Sequence, residues 1–122
     1  MKTIENLIST YPVALYGNSL ETYMNLWGEG VHYRISPTLT LKSRNELSAF
    51  MKENYFSGDG AHGYYCAINP VIHTVSEDQA NFNFDLLGDS GDGLRPLGKY
   101  RNCEAMKTIN GWKITKLNFF AF

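Results

Sequence analysis

The sequence predicts an α+β fold in which helices come first and a curved, mixed or antiparallel sheet follows. Three observations predict it. Apolar residues recur at helical spacing near the start, at Ile4, Leu7, Ile8 and Tyr11. Four long strand-like runs follow from about residue 63, separated by short turn signals. In one of them Ala80, Phe82, Phe84 and Leu86 alternate with Asn81, Asn83 and Asp85. That pleat buries one face and leaves the other to water or to a polar subunit contact.

The first helical stretch can continue through Ala14 and Leu15, but Pro12 removes a backbone hydrogen bond. The helix therefore starts near Pro12, with residues 1–11 as a separate turn, or it bends there. Asn18-Ser19-Leu20-Glu21 matches a capping box with Asn18 as N-cap. It opens a short helix, roughly Ser19 to Trp27, which Gly28 and Gly30 end. Val31, Tyr33 and Ile35 then alternate with His32 and Arg34 as a half-buried strand, and residues 38–41 can form a short partner after Pro37. Ser43-Arg44-Asn45-Glu46 is a second capping box, opening a helix to about Phe56 with Leu47, Phe50 and Met51 on one face. The four later strands cover about Gly63 to Thr74, Gln79 to Leu87, Gly98 to Ile109 and Trp112 to Phe122. Asn110-Gly111 between the last two is the favoured pair for a type I′ hairpin turn. Gly88 to Gly93 reads as a hairpin loop, without the ligand spacing of a calcium loop.

With 122 residues and 43% hydrophobic residues, the chain suits one domain over residues 1–122 with a core of its own. A formal charge of -1, with no basic cluster, argues against nucleic acid. No stretch has the apolar length of a membrane span, and MKTIENLIST lacks the apolar run of a signal peptide, so the expected location is the cytoplasm. Cys66 and Cys103 lie far apart without metal-ligand spacing and are expected as reduced thiols.

Three local patterns resemble a known group. Asn69-Pro70-Val71-Ile72, then a turn and Gln79-Ala80, is similar to an "NPxI…dGDxA" strand pair. Gly98-Lys99-Tyr100-Arg101-Asn102 is similar to a "GxYxD" strand, with Asn102 in place of the usual Asp. Gly111-Trp112-Lys113-Ile114 is similar to a "GWxI" strand start. In this order the patterns resemble the NTF2-like superfamily, and within it the SnoaL-like group. The resemblance implies a cone, with about three helices packed on the concave face of the sheet. It also implies a pocket for a small apolar molecule, no cofactor and no metal, and a homodimer through the outer sheet face. The activities it implies are those of cyclases, dehydratases or isomerases working on an apolar carbonyl compound; the alternative is a non-catalytic binding or dimerisation module.

The acid–base pair of that group, an Asp and a His, falls here on Tyr16 and Tyr65. A phenol with a pKa of about 10 is a poor base at neutral pH. Tyr16, Tyr33, Tyr65 and Tyr100 remain candidates as hydrogen-bond donors to a carbonyl or enolate, or as core rings with hydroxyls at the rim. His62 is a general-base candidate if the alignment is gapped by a residue or two, and otherwise a loop histidine. Glu104 is in phase with Tyr100; it is a usable acid or base if it faces the cone and a surface carboxylate if it faces out. Trp27 and Phe50 complete the expected ligand-binding set with Tyr33 and Tyr100. Phe119, Phe120 and Phe122 put rings on both faces of the last strand, which favours a partner copy over the outer one.

Overall fold

Helix α1 (Ile4–Leu15) runs unbroken through Pro12 in the computed structural model, which describes residues 3–15, 19–56, 64–89 and 91–121. The proline costs one backbone bond, but Ile4, Leu7, Ile8, Tyr11 and Leu15 are all buried along the same face. Each buried side chain of that size contributes roughly 1.5–3 kcal/mol, so packing decides the outcome.

Helix α2 (Leu20–Met24) is capped by Ser19, whose hydroxyl accepts from the Thr22 N–H at 3.1 Å. The cap is one residue later than the sequence pattern placed it, and Asn18 lies outside the described residues. The helix also ends earlier than expected. Trp27, Gly28 and Gly30 belong to strand β1 (Trp27–Ser36), because pairing with the last strand captures this segment: Ile114 N–H donates to the Leu26 carbonyl at 2.8 Å. Strand β2 (Leu39–Leu41) pairs antiparallel with β1. Helix α3 (Arg44–Asn54) has Ser43 as its cap, bonded to the Glu46 N–H at 3.1 Å, while the Glu46 carboxylate reaches back to the Lys42 N–H at 2.7 Å.

Strands β3 (Tyr64–Thr74), β4 (Gln79–Asp89), β5 (Arg95–Thr108) and β6 (Gly111–Ala121) follow. The sheet order is β2-β1-β6-β5-β4-β3, with β1 and β6 parallel and every other pair antiparallel. The β5–β6 turn is not type I′, since Asn69 and Asn102 are the only non-glycine residues with positive φ among the described residues. Gly111, at φ 101, carries the left-handed step instead of Asn110.

Among the register shifts of the sheet, two are bulges carried by left-handed asparagines. Asn69 (φ 54) sits where β3 slips against β4, and Asn102 (φ 53) where β5 slips against its neighbours. Asparagine tolerates the left-handed region because its side chain finds local partners. Asn69 Nδ2 donates to Asp85 Oδ2 at 3.1 Å, and the Asn102 N–H donates to Asn83 Oδ1 at 2.9 Å. Arg101 Nη2 closes on Asp85 Oδ1 at 2.7 Å. The polar face of β4 thus holds the bulges in place. Burial works to raise the pKa of Asp85, but hydrogen bonds from Arg101 and Asn69 and the charges of Arg101 and Lys99 outweigh it, and the net shift is downward.

The opposite face of the sheet packs on the helices around Phe82, Phe84, Ile114 and Leu117. Among the described residues no helix is long and apolar enough to cross a membrane.

Candidate functional site

The interior of the fold is built from rings, and four of them carry hydroxyls that meet. Tyr11 is on α1, Tyr23 on α2, Tyr33 on β1 and Tyr100 on β5. Each is placed by the local rule that forms its element. Tyr11 falls three residues after Ile8 on the buried stripe of α1, and Tyr23 one turn after Leu20 on α2. Tyr33 lies two residues from Val31 on the inward pleat, and Tyr100 two residues from Gly98. All four are at most 6% exposed.

Their hydroxyls form one chain. Tyr23 and Tyr11 are 2.9 Å apart, Tyr11 donates to Tyr33 at 3.2 Å, and Tyr33 and Tyr100 are 2.9 Å apart. A hydroxyl has one proton to give. Tyr11 spends its proton on Tyr33, so Tyr23 is the donor to Tyr11. Between Tyr33 and Tyr100 one O–H proton is then left without an acceptor among the described residues. The indole of Trp27 stacks on Tyr33, with ring centres 5.7 Å apart and planes 25° apart. Its Nε1–H is buried without a hydrogen bond of good geometry, although it lies beside the Tyr23 hydroxyl. The centre of the cone therefore holds one O–H and one N–H that have no well-formed acceptor among the described residues.

The ring walls are apolar. Phe84 stacks on Tyr100 at 4.6 Å, and the Phe119 ring lies 5.1 Å from Tyr100. No charged or non-aromatic polar residue is buried among the described residues. In this setting burial is the largest cause that drives the pKa of all four tyrosines upward; the neighbouring phenols add to it at Tyr11 and Tyr33. All four are neutral phenols at pH 7, able to donate hydrogen bonds and unable to act as bases.

Those shifts fix a pH dependence. A phenol whose pKa is higher in the folded chain than in the unfolded one gives stability that is fully present below the unfolded value of about 10, and that is lost as pH rises above it. With four such groups the loss is expected to reach about 5.4 kcal/mol per pH unit once the unfolded phenols are fully ionised. Titration followed at the tyrosinate absorbance should therefore show four tyrosines silent until a cooperative alkaline unfolding. Smooth titration of all eight Tyr near pH 10 with the fold intact would contradict this.

Among the residues expected from the sequence, Tyr33, Tyr100 and Trp27 are brought together at this centre. Trp27 reaches it from a strand and not from a helix end. Phe50, on α3, is half-buried against the core. Tyr65, on β3, is half-buried; its ring lies against Gly88 of β4, and burial raises its pKa. It makes no hydrogen bond to the four-hydroxyl chain. Glu104 does not share a face with Tyr100. The bulge at Asn102 shifts the alternation by one residue, so Cys103 and Ala105 are buried and Glu104 points outward to Lys116 at 3.5 Å. Tyr16 and His62 lie outside the described residues. Tyr11 and Tyr23 were not among the expected site residues. Helical phase alone marks both as inward, and counting inward hydroxyls would have found them. Cys103 and Cys66 are free thiols, and burial pushes the Cys103 thiol up to about 12.

Cavities of 160, 410 and 250 Å³ are among those that open on the described surface, and none of these three is lined by any of the four tyrosines. Among the described residues no group of three or more His, Cys, Asp or Glu is placed to hold a metal ion.

No protein-family model matches the sequence, and no curated protein sequence matches it. Solved structures do. A candidate scytalone dehydratase from Novosphingobium aromaticivorans DSM 12444 superposes with a TM-score of 0.78 at 19% identity, over 98% of this chain and 81% of that one. A candidate dehydratase of the NTF2-like family from Streptomyces avermitilis gives 0.71 at 15% identity, over 92% and 88%. A candidate calcium/calmodulin-dependent protein kinase type II association domain from Thiobacillus denitrificans ATCC 25259 gives 0.76 at 16% identity, over 100% and 97%. Likeness at such identities is a likeness of fold. The chain has the α+β cone of the NTF2-like proteins, as the three sequence patterns implied. The names attached to that fold range from dehydratases to an association domain.

Proposed function

We propose that this protein binds a small, largely apolar molecule in its cone and holds it by hydrogen bonds donated from tyrosine, without an Asp–His pair. The observation that carries this reading is the four-hydroxyl chain, sealed among aromatic rings and left with a proton to give. A mostly apolar site with a few convergent polar groups is the common layout for small-molecule recognition. Donors fixed in a dry interior act on a carbonyl more strongly than donors in water.

Ligand-observed NMR against apolar ketones and esters is the direct test. We expect saturable binding that raises the thermal midpoint, and a loss of about tenfold in affinity for Tyr100→Phe, which removes one hydrogen bond of about 1.4 kcal/mol. The binding reading falls if no such compound binds, or if Tyr100→Phe, still folded, binds equally well.

Turnover is the second reading, as a cofactor-independent lyase or isomerase. What favours it is the donor-rich centre, which suits a developing enolate oxygen, and His62 as the remaining candidate base. Exchange of the α-protons of a bound ketone with deuterium, lost in His62→Gln, would support it. Binding without exchange leaves a binding module. The expected homodimer through the sheet is supported by Phe120, which faces outward beneath Arg34 at 4.3 Å. Light scattering at several concentrations tests it.

A further inference from the structure

We propose that Arg34 and the apolar recess beside it form a second ligand site, at the rim of the sheet, for a small carboxylate with an apolar body. None of the four tyrosines lines this recess, and the inference does not rest on the cone reading above.

The recess has a volume of 250 Å³ and lies where the parallel strands β1 and β6 end side by side. Ile35, Pro37, Phe119 and Phe120 give it apolar walls, and Arg34 is the one charged side chain among the described residues that line it. The Ser36 hydroxyl, also on the wall, is bonded to Thr38. Strand alternation turns Tyr33 into the core and Arg34 to the outer face. There the guanidinium is held from two sides. Its Nη1 donates to the Phe119 carbonyl at 2.6 Å, and its central carbon lies 4.3 Å from the centre of the Phe120 ring. A guanidinium carries five N–H donors, and the carbonyl takes one of them. Arg101, two strands away on the same face, is neutralised by Asp85 at 2.7 Å. No carboxylate among the described residues does the same for Arg34. A planar fork already fixed in place loses little freedom on taking a carboxylate, whose two oxygens match it. One cation with no second beside it suits a single negative charge rather than a phosphate dianion. The volume falls just under the roughly 300–1,000 Å³ common for ligand pockets, so the acid is of fragment size, with its apolar body against the rings.

Benzoate and benzamide share a ring and nearly a size, and differ in charge. Titration of each into the full chain, followed by amide chemical shifts, reads affinity and place together. We expect benzoate to bind at least about tenfold more tightly than benzamide, a difference of about 1.4 kcal/mol. The largest shift changes should fall on the N–H groups of Ile35, Ser36, Phe119, Phe120 and Ala121. Arg34→Gln, which keeps a donor and removes the charge, should lower benzoate affinity at least about tenfold and leave benzamide nearly unchanged. Where Arg34→Gln does not fold, Ala121→Trp tests the same site. Ala121 is exposed and lines the recess, so an indole there fills the space and leaves Arg34 in place. Equal affinity for the two probes overturns the site, as do shift changes centred elsewhere or unchanged benzoate binding in either folded variant. A second copy seated on this face is the competing occupant. A dimer by light scattering that takes up no benzoate shows that the copy holds the recess, and it overturns the site as well. The ketones and esters that probe the cone are read separately, so failure here leaves the cone reading standing.

Discussion

Tyr33→Phe is expected to cost about 2–4 kcal/mol, clearly more than Tyr23→Phe. Tyr33 is a middle link: Tyr11 donates to it at 3.2 Å, and Tyr100 shares a bond with it at 2.9 Å. Removing its oxygen strands two buried hydroxyls, each at a penalty of about 1–3 kcal/mol less whatever relaxation recovers. Tyr23 is a terminal link, so its loss breaks one hydroxyl bond. The ring remains in both variants, and the Trp27 stack on Tyr33 with it, so the difference isolates the hydroxyls. Urea unfolding with an unchanged slope reads that difference directly. Equal costs for the two variants, or a neutral Tyr33→Phe, would show that the hydroxyls do not act as a chain.

The same network shows where sequence reading reaches and where it stops. Strand alternation placed Phe82 and Phe84 inside and Asn83 and Asp85 outside, because a pleat has a fixed period of two. It failed at Glu104, because a bulge inserts one residue and inverts the phase after it. The signal for that bulge was present in Asn102, a residue type that accepts positive φ, but only its φ of 53 identifies the step. Helix ends failed for another reason. Gly28 and Gly30 look like helix terminators, yet a parallel pairing with β6 draws Trp27 into a strand, with Ile114 as its register partner. A contact so distant in sequence leaves no local mark. The site was half legible. Tyr33, Tyr100 and Trp27 were candidates one by one. Their convergence with Tyr11 and Tyr23 depends on how α1 and α2 seat against the sheet, and propensity and period do not specify that.

Gly98 should be the least replaceable glycine in the sheet. A Cβ built there would overlap the Phe119 ring and lie 2.7 Å from the Phe120 carbonyl oxygen. The ring could swing, but the carbonyl belongs to β6, whose Ala121 pairs with Gly98, and moving it strains the pairing. Overpacking of this kind costs about 1–3 kcal/mol, and the backbone contact puts Gly98→Ala at about 3 kcal/mol, a fall in thermal midpoint on the order of 10 °C. Gly30→Ala is the control. Nothing lies within 4 Å of its Cβ position and its φ is not in the left-handed region, so it should be neutral or slightly stabilising. Adding Phe119→Leu to Gly98→Ala should restore only part of the loss, since the Phe120 carbonyl remains. The displaced Phe119 ring would also press on Tyr100, now 5.1 Å away, at the donor end of the hydroxyl chain. Ligand affinity is therefore expected to fall together with stability in Gly98→Ala, and to be unchanged in Gly30→Ala. A Gly98→Ala protein as stable as Gly30→Ala would mean that β6 shifts freely, and that the cone wall beside Tyr100 is softer than its packing indicates.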